Sequence, residues 1–115
     1  MTKGQIESKI SEAIIKFEKD YMGRGPVETR TFLMEDLVII RLKGVLTPAE
    51  ERLAKTKDGA EIIKKTRALL IEEAKEILSE MIHEITGIKV LSLHTDVSTK
   101  TGERIIVFTL KKKIN

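Results

Sequence analysis

Between Asp58 and Gly87 the chain carries an apolar stripe at helical spacing: Ile62, Ile63, Leu70, Ala74, Ile77, Leu78, Met81, Ile82 and Ile85. Recurrence at three and four residues puts these side chains on one side of an α-helix. The run amounts to about seven or eight turns, against an average near three. A helix of that length is too long to sit entirely across a small four-stranded sheet. Asp58-x-x-Glu61 reads as its start and Gly87 as its C-terminal cap.

The flanking segments alternate in period. Thr2-x-x-Gln5 is a capping box, and Ile6, Ile10, Ala13, Ile14, Phe17 and Tyr21 follow as a first helical stripe, which Gly23, Gly25 and Pro26 end. From Val27 to Lys43 the period falls to two, in two β-rich runs joined at Glu35-Asp36, a hairpin. Gly44 closes that hairpin, and Thr47-Pro48-Ala49-Glu50 opens a short helix that runs to about Lys55. After the long helix come a strand from Ile88 to Val97, a turn at Thr101-Gly102, and a strand from Arg104 to Leu110. The order is α-β-β-α-α-β-β. It predicts an α+β domain spanning residues 1–115, with a four-stranded, mainly antiparallel sheet and the helices on one face.

Composition narrows the function classes. With 115 residues, 41% apolar and 34% charged, the chain is of a size for one domain with a modest core. It has no cysteine, which excludes disulfides, thiolate metal sites and a thiol nucleophile. Its net charge of +3 is spread among 18 acidic residues, and the one basic run, Lys111 to Lys113, is a solvated end. Nucleic acid is therefore disfavoured as a partner, as is a stacking platform with Phe32 alone beside Arg30, Arg41 and Lys43. The longest apolar runs, Leu37 to Ile40 and Ile105 to Phe108, fall far short of the roughly 18 residues of a membrane span. With no secretory signal pattern, a cytoplasmic location without membrane insertion is expected. The last strand offers Ile105 and Val107 on one side and Ile106, Phe108 and Leu110 on the other. Both sides cannot be solvated, so a homodimer is expected, through the open sheet face or the overlong helix.

Two segments could carry chemistry. In the loop Gly23-Arg24-Gly25-Pro26, glycine-turn N–H groups can form an anion nest to which Arg24 adds a forked donor, although a helix-to-strand turn needs glycine for geometry alone. In the stretch from Leu93 to Glu103, alternation puts Ser92, His94, Asp96 and Ser98 on one face of a strand and Leu91, Leu93, Thr95 and Val97 on the other. Lys100 tips the hairpin that follows. At about 7 Å, residues two apart on a strand are too distant for His94 and Asp96 to bond directly as a base pair. The other histidine, His83, stands with Glu80 and Glu84 on a helical face that reads as solvated. These residues form no complete catalytic set and no metal set, and imply no cofactor. Arg24, Gly23, Gly25, His94, Asp96, Ser98 and Lys100 are the candidate contacts for a protein partner or, alternatively, for a small anion such as a nucleotide, bound or processed by a minor enzyme that uses the loop 23–26 and the His94/Asp96 strand.

Phe17-Glu18-Lys19 with Tyr21-Met22-Gly23-Arg24-Gly25-Pro26, then Leu42-Lys43-Gly44-Val45-Leu46-Thr47-Pro48-Ala49-Glu50, then Leu93 to Glu103, resemble the MpsC-like family of small bacterial domains over almost the whole chain. The family takes its name from a sodium-linked, membrane-potential-generating system whose other components are implicated in inorganic-carbon uptake. The resemblance implies a non-enzymatic accessory or regulatory role near such a membrane complex. It supplies no catalytic residues to carry over.

Overall fold

The computed structural model describes residues 1–114. Its elements follow the expected order: α1 (Lys3–Met22), β1 (Glu28–Met34), β2 (Leu37–Lys43), α2 (Pro48–Leu53), α3 (Lys57–Thr86), β3 (Val90–Val97) and β4 (Arg104–Leu110). The four strands form one antiparallel sheet in the order β1-β2-β4-β3. Each half of the chain thus contributes a hairpin, and the second strands of the two hairpins meet at the centre. No helix is long and apolar enough to cross a membrane among the described residues.

Local chemistry fixes the element ends. Thr2 and Gln5 exchange both bonds of a capping box (3.2 and 2.8 Å), and Thr47 and Glu50 do the same before α2 (3.1 and 3.0 Å). Gly23 and Gly87 end α1 and α3 in the left-handed conformation. The start of α3 differs from the Asp58-x-x-Glu61 expectation. Its cap is Thr56, whose hydroxyl accepts from Gly59 N–H at 3.0 Å. Asp58 lies inside the first turn, where its charge suits the helix dipole. The turn of the first hairpin is Glu35-Asp36, with Glu35 at φ 59°. The chain end closes over it, as Leu110 N–H reaches Asp36 O, Ile114 N–H reaches Glu35 O, and Lys113 pairs with the Glu35 carboxylate at 3.0 Å.

The core lies between the helices and one face of the sheet. Ile6, Ile10, Ile14 and Phe17 of α1, and Ile63, Ile71, Ala74, Leu78 and Ile82 of α3, pack on Leu33, Val38, Ile40, Leu42, Ile106, Phe108 and Leu110. α1 lies over β1 and α3 over β3. Three residues expected on apolar stripes are solvated instead: Tyr21, Ile62 and Ile77. A layer helix contacts the sheet along only one narrow arc, and Ile62 and Ile77 fall outside the arc that Ile63 and Leu78 occupy. Leu91 is also outward, where an inward side chain was expected. A register shift between Val90 and Ser92 breaks the alternation there, so Val90 and Leu93 both face the helices.

At about 1.5 Å per residue the 30 residues of α3 span about 45 Å, the full long dimension of the molecule at 45 Å. Strands of seven residues cover about 24 Å. Since β3 runs back along α3 from its C-terminus, the excess projects at the N-terminal end of the helix. There α2 and the loop 44–47 cover it.

Candidate functional site

That covered end gathers the loop 23–26, the loop 44–47, α2, the start of α3 and the tip of the second hairpin. Val27 N–H bonds Lys43 O, and Val45 N–H bonds Gly102 O. Gly44 has φ +67°, and a Cβ on it would lie 2.5 Å from Val27 Cγ2, so only glycine lets the first hairpin and the loop cross this closely. Between α2 and the hairpin tip lies a cleft of about 560 Å³, lined by Gly44, Leu46, Glu51, Lys55, Lys100 and Gly102 among others.

Beneath the cleft sits a charged cluster that the sequence reading did not single out. The buried Arg67 guanidinium donates to both carboxylate oxygens of Glu50 (2.9 and 2.7 Å) and to Val45 O (2.8 Å). Arg104, fully buried on the inner face of β4, donates to Thr95 Oγ1 at 2.9 Å. Glu18 of α1 is equally buried and faces the same two guanidiniums without a direct bond to either, leaving Glu18 Oε2, Arg67 Nη1 and Arg104 Nε without protein partners. Burial pushes the Glu18 carboxyl above the usual carboxylate range, and the charges of Arg104 and Arg67 offset only part of that rise. For Glu50 burial acts upward too, but the Arg67 hydrogen bonds, the Thr47 N–H and the Arg67 charge together outweigh it, and its pKa is lowered. Burial lowers the Arg104 pKa, with Glu18 pulling it back. A signal for the cluster existed in the sequence. Arg67 is four residues from both Ile63 and Ile71, Glu18 is four from Ile14, and Arg104 is two from Ile106, so each charge falls on a buried phase.

The expected site residues do not converge. Arg24 Nη1 donates to Leu46 O at 3.0 Å, so its fork holds the loop 44–47. Gly23 serves as the α1 cap, and Gly25 lies against the Lys19 side chain. Lys100 lines the cleft. Ser98 lies past the end of β3 and shapes the hairpin turn, its hydroxyl accepting from Thr101 N–H at 3.2 Å. His94 and Asp96 lie on the opposite, outer face of the sheet. His94 Nε2 is 3.0 Å from Ser92 Oγ, and Asp96 accepts from Val97 N–H at 2.8 Å and pairs with Lys64 at 3.3 Å. The Val97 bond, against desolvation and with help from Lys64, lowers the Asp96 pKa. Of the basic residues on the first hairpin, Arg41 pairs with Glu103 and Lys43 with Glu28, which leaves Arg30 without a carboxylate among the described residues. No group of three or more His, Asp or Glu side chains is placed to hold a metal ion among the described residues.

The second candidate surface is the outer face of the sheet. No helix packs on it, and Phe32, Met34, Leu37, Ile39, Ile105 and Val107 form a continuous half-exposed to exposed apolar band across β1, β2 and β4. The family model described as "Na+-translocating membrane potential-generating system (MpsC)" matches residues 2–112, a span that takes in both surfaces. The chain belongs to the MpsC family. Among its relatives is "Uncharacterized protein YbcI" of Bacillus subtilis (strain 168), 50% identical over 109 residues, which covers 95% of this chain and 88% of the relative. "Uncharacterized protein YrhF" of the same organism is 27% identical over 108 residues, covering 93% and 88%. No solved structure matches. All three segments that carry the MpsC resemblance reach the covered end: Glu18 and Arg24 come from the first, Val45 and Glu50 from the second, and Thr95 and Gly102 from the third.

Proposed function

We propose that this MpsC-family chain is a non-enzymatic accessory or regulatory protein of a membrane ion or inorganic-carbon transport system, acting in the cytoplasm as a homodimer. The observation that carries this reading is the uncovered apolar band on the outer sheet face. A small domain with both faces of a sheet rich in Ile and Val, and helices over only one, is built to bind another protein surface through the other. The charged cluster beneath the cleft supports the same reading. Its guanidiniums bond Glu50, Val45 O and Thr95, so they tie α2, the loop 44–47 and β3 to the elements that carry them.

A second reading has its own observation. The cleft is lined by Lys55, Lys100, Thr99 and Thr101, with Glu51 as its one carboxylate, a donor set that suits a small anion of the nucleotide kind. One experiment separates the two. The tagged full chain is cross-linked in its native cells and the product identified, while the purified chain is titrated with phosphate, pyrophosphate and ATP. Cross-linking to an integral-membrane transport subunit, with no anion binding, is the expected result. Saturable anion binding that Lys100→Ala abolishes, without a membrane-protein cross-link, would overturn the accessory reading.

A further inference from the structure

The registers of the outer face show a charge asymmetry that selects one way for two copies to meet. Arg30 pairs with Arg41, Arg41 with Ile105, and Ile105 with Asp96, so one row across the sheet begins with Arg30 on one edge and ends with Asp96 on the other. The next row is Phe32, Ile39, Val107, His94, and the third is Met34, Leu37, Thr109, Ser92. The centre is apolar, and the row through Arg30 ends in a cation on the β1 edge and an anion on the β3 edge, while Glu28 beyond it is already paired with Lys43.

We infer that the chain forms a face-to-face homodimer through this outer sheet face, with the two-fold axis parallel to the strands. This rests on the homodimer reading above and adds its geometry. Rotation about such an axis exchanges the edges, so β1 of one copy lies over β3 of the other and β2 over β4. Arg30 then meets the partner's Asp96, Phe32 meets the partner's His94, and Ile39 meets the partner's Val107. Each contact occurs twice. Turning the axis across the strands instead would set Arg30 and Arg41 over the partner's Met34 and Leu37, and Asp96 over its Ser92. That arrangement seats Arg30 on apolar side chains with no carboxylate to meet it, whereas Arg41 keeps Glu103 and Asp96 keeps Lys64 in either arrangement. The strand-parallel axis keeps the aligned packing of stacked sheets and neutralises both ends of the Arg30 row.

The individual residues suit these roles. Arg30 stands 5.4 Å from the Phe32 ring centroid and has no carboxylate in salt-bridge range among the described residues, while Arg41 and Lys43 already have theirs. The Asp96 side chain is 77% exposed, and its one ion pair, with Lys64, leaves the carboxylate open to a second cation. Four strands about 4.8 Å apart and about 24 Å long present about 450 Å² of face on each copy. Two such faces bury on the order of 1,000 Å², the lower bound for a specific interface, with dissociation expected in the micromolar range.

The test is sedimentation velocity of the full chain from about 1 to about 100 µM at low salt, where exposed charges are least screened, with far-UV circular dichroism to verify folding. The variants are Arg30→Glu, Asp96→Arg, the two combined, and Val107→Glu. The wild type should be a reversible dimer. Each single charge reversal should weaken dimerisation at least about tenfold, and the combination should return it to within about threefold of wild type. Val107→Glu should leave a folded monomer. A dimer lost in Val107→Glu but indifferent to the charge variants would overturn the strand-parallel axis and leave the open face as the interface. A dimer that survives Val107→Glu would overturn this interface while the homodimer reading stands, and a wild-type monomer throughout would overturn both.

Discussion

Replacing Arg67 with Met tests the claim that the buried pair with Glu50 ties the protruding end of α3 to α2 and the loop 44–47. Arg67 is 5% exposed and makes three hydrogen bonds, two of them to the Glu50 carboxylate. Removing one partner of a fully buried pair costs about 3–5 kcal/mol, chiefly because the other charge is stranded. The Glu50 side chain is 26% exposed, so water can partly rehydrate it and the cost falls to the lower end, about 3 kcal/mol. With about 2.1 cal/mol/K of unfolding entropy per residue, 115 residues give about 0.24 kcal/mol/K, and the melting temperature should drop by about 12 °C. Glu50→Gln keeps one oxygen for Thr47 N–H and Arg67 Nη2 but turns its NH2 toward Arg67 Nε and strands the buried guanidinium, and should also cost about 3 kcal/mol. The double variant should lose at least about 1 kcal/mol less than the two singles together. The acid limb gives an independent check. Because the folded Glu50 pKa is lowered, the ionised pair contributes fully above the unfolded carboxylate value near ~4.3 and is lost as pH falls through the folded value below it. The stability gap between wild type and Arg67→Met should therefore narrow below about pH 4. Urea unfolding followed by circular dichroism measures each quantity. A loss under about 1 kcal/mol at pH 7 with an unchanged m-value would refute the reasoning, because the pair would then be no better than a surface contact.

Other perturbations probe other parts of the same end. Glu18 carries a raised pKa, so its protonated form is favoured on folding. Its contribution is complete below the unfolded value and lost as pH rises through the folded one. Glu18→Gln, which mimics the protonated form, should match wild type at pH 4 and equal or exceed it by on the order of 1 kcal/mol at pH 8, as urea midpoints at the two pH values will show. Gly59→Ala improves helix propensity by about 1 kcal/mol, yet its Cβ would lie 1.9 Å from Leu53 O. The clash should win, with a net loss of at least about 1 kcal/mol in thermal or urea unfolding. Arg24→Ala removes a bond to Leu46 O and should cost about 1 kcal/mol, whereas His94→Ala, exposed on β3, should stay within about 0.5 kcal/mol. Under the face-to-face dimer, His94→Ala should nonetheless weaken self-association, read by sedimentation on the same samples.

Two capping boxes, the switch from helical to alternating period at Val27, and the Glu35-Asp36 turn are local signals, decided within a few residues, and they were legible in the chain. Local evidence failed where two local choices were equally good. Thr56 and Asp58 are both competent caps before α3, and the close approach of Leu53 O to Gly59 accompanies the tighter choice. Leu91 sits in phase with Leu93 and Val97, but the register shift at Val90 and Ser92 depends on the pairing with β4 and reverses its side. The charges on buried phases, Glu18, Arg67 and Arg104, were visible as exceptions in their stripes. Their partners were not, because Glu50, Val45 and Thr95 come from other elements that only folding brings near.

By itself the sequence determined the element order, the lack of thiol and disulfide chemistry in a cysteine-free chain, an amphipathic layer and an MpsC-like resemblance. These follow from side-chain size, charge and spacing along one line. Tertiary structure alone decided that Arg24 holds a loop, that His94 and Asp96 face away from the cleft, and that Arg30 and Asp96 end one row at opposite edges of an uncovered sheet. Each of those statements is about distance between residues far apart in the chain. Such distances are set by the joint packing of α1, α3 and four strands, which no segment encodes on its own.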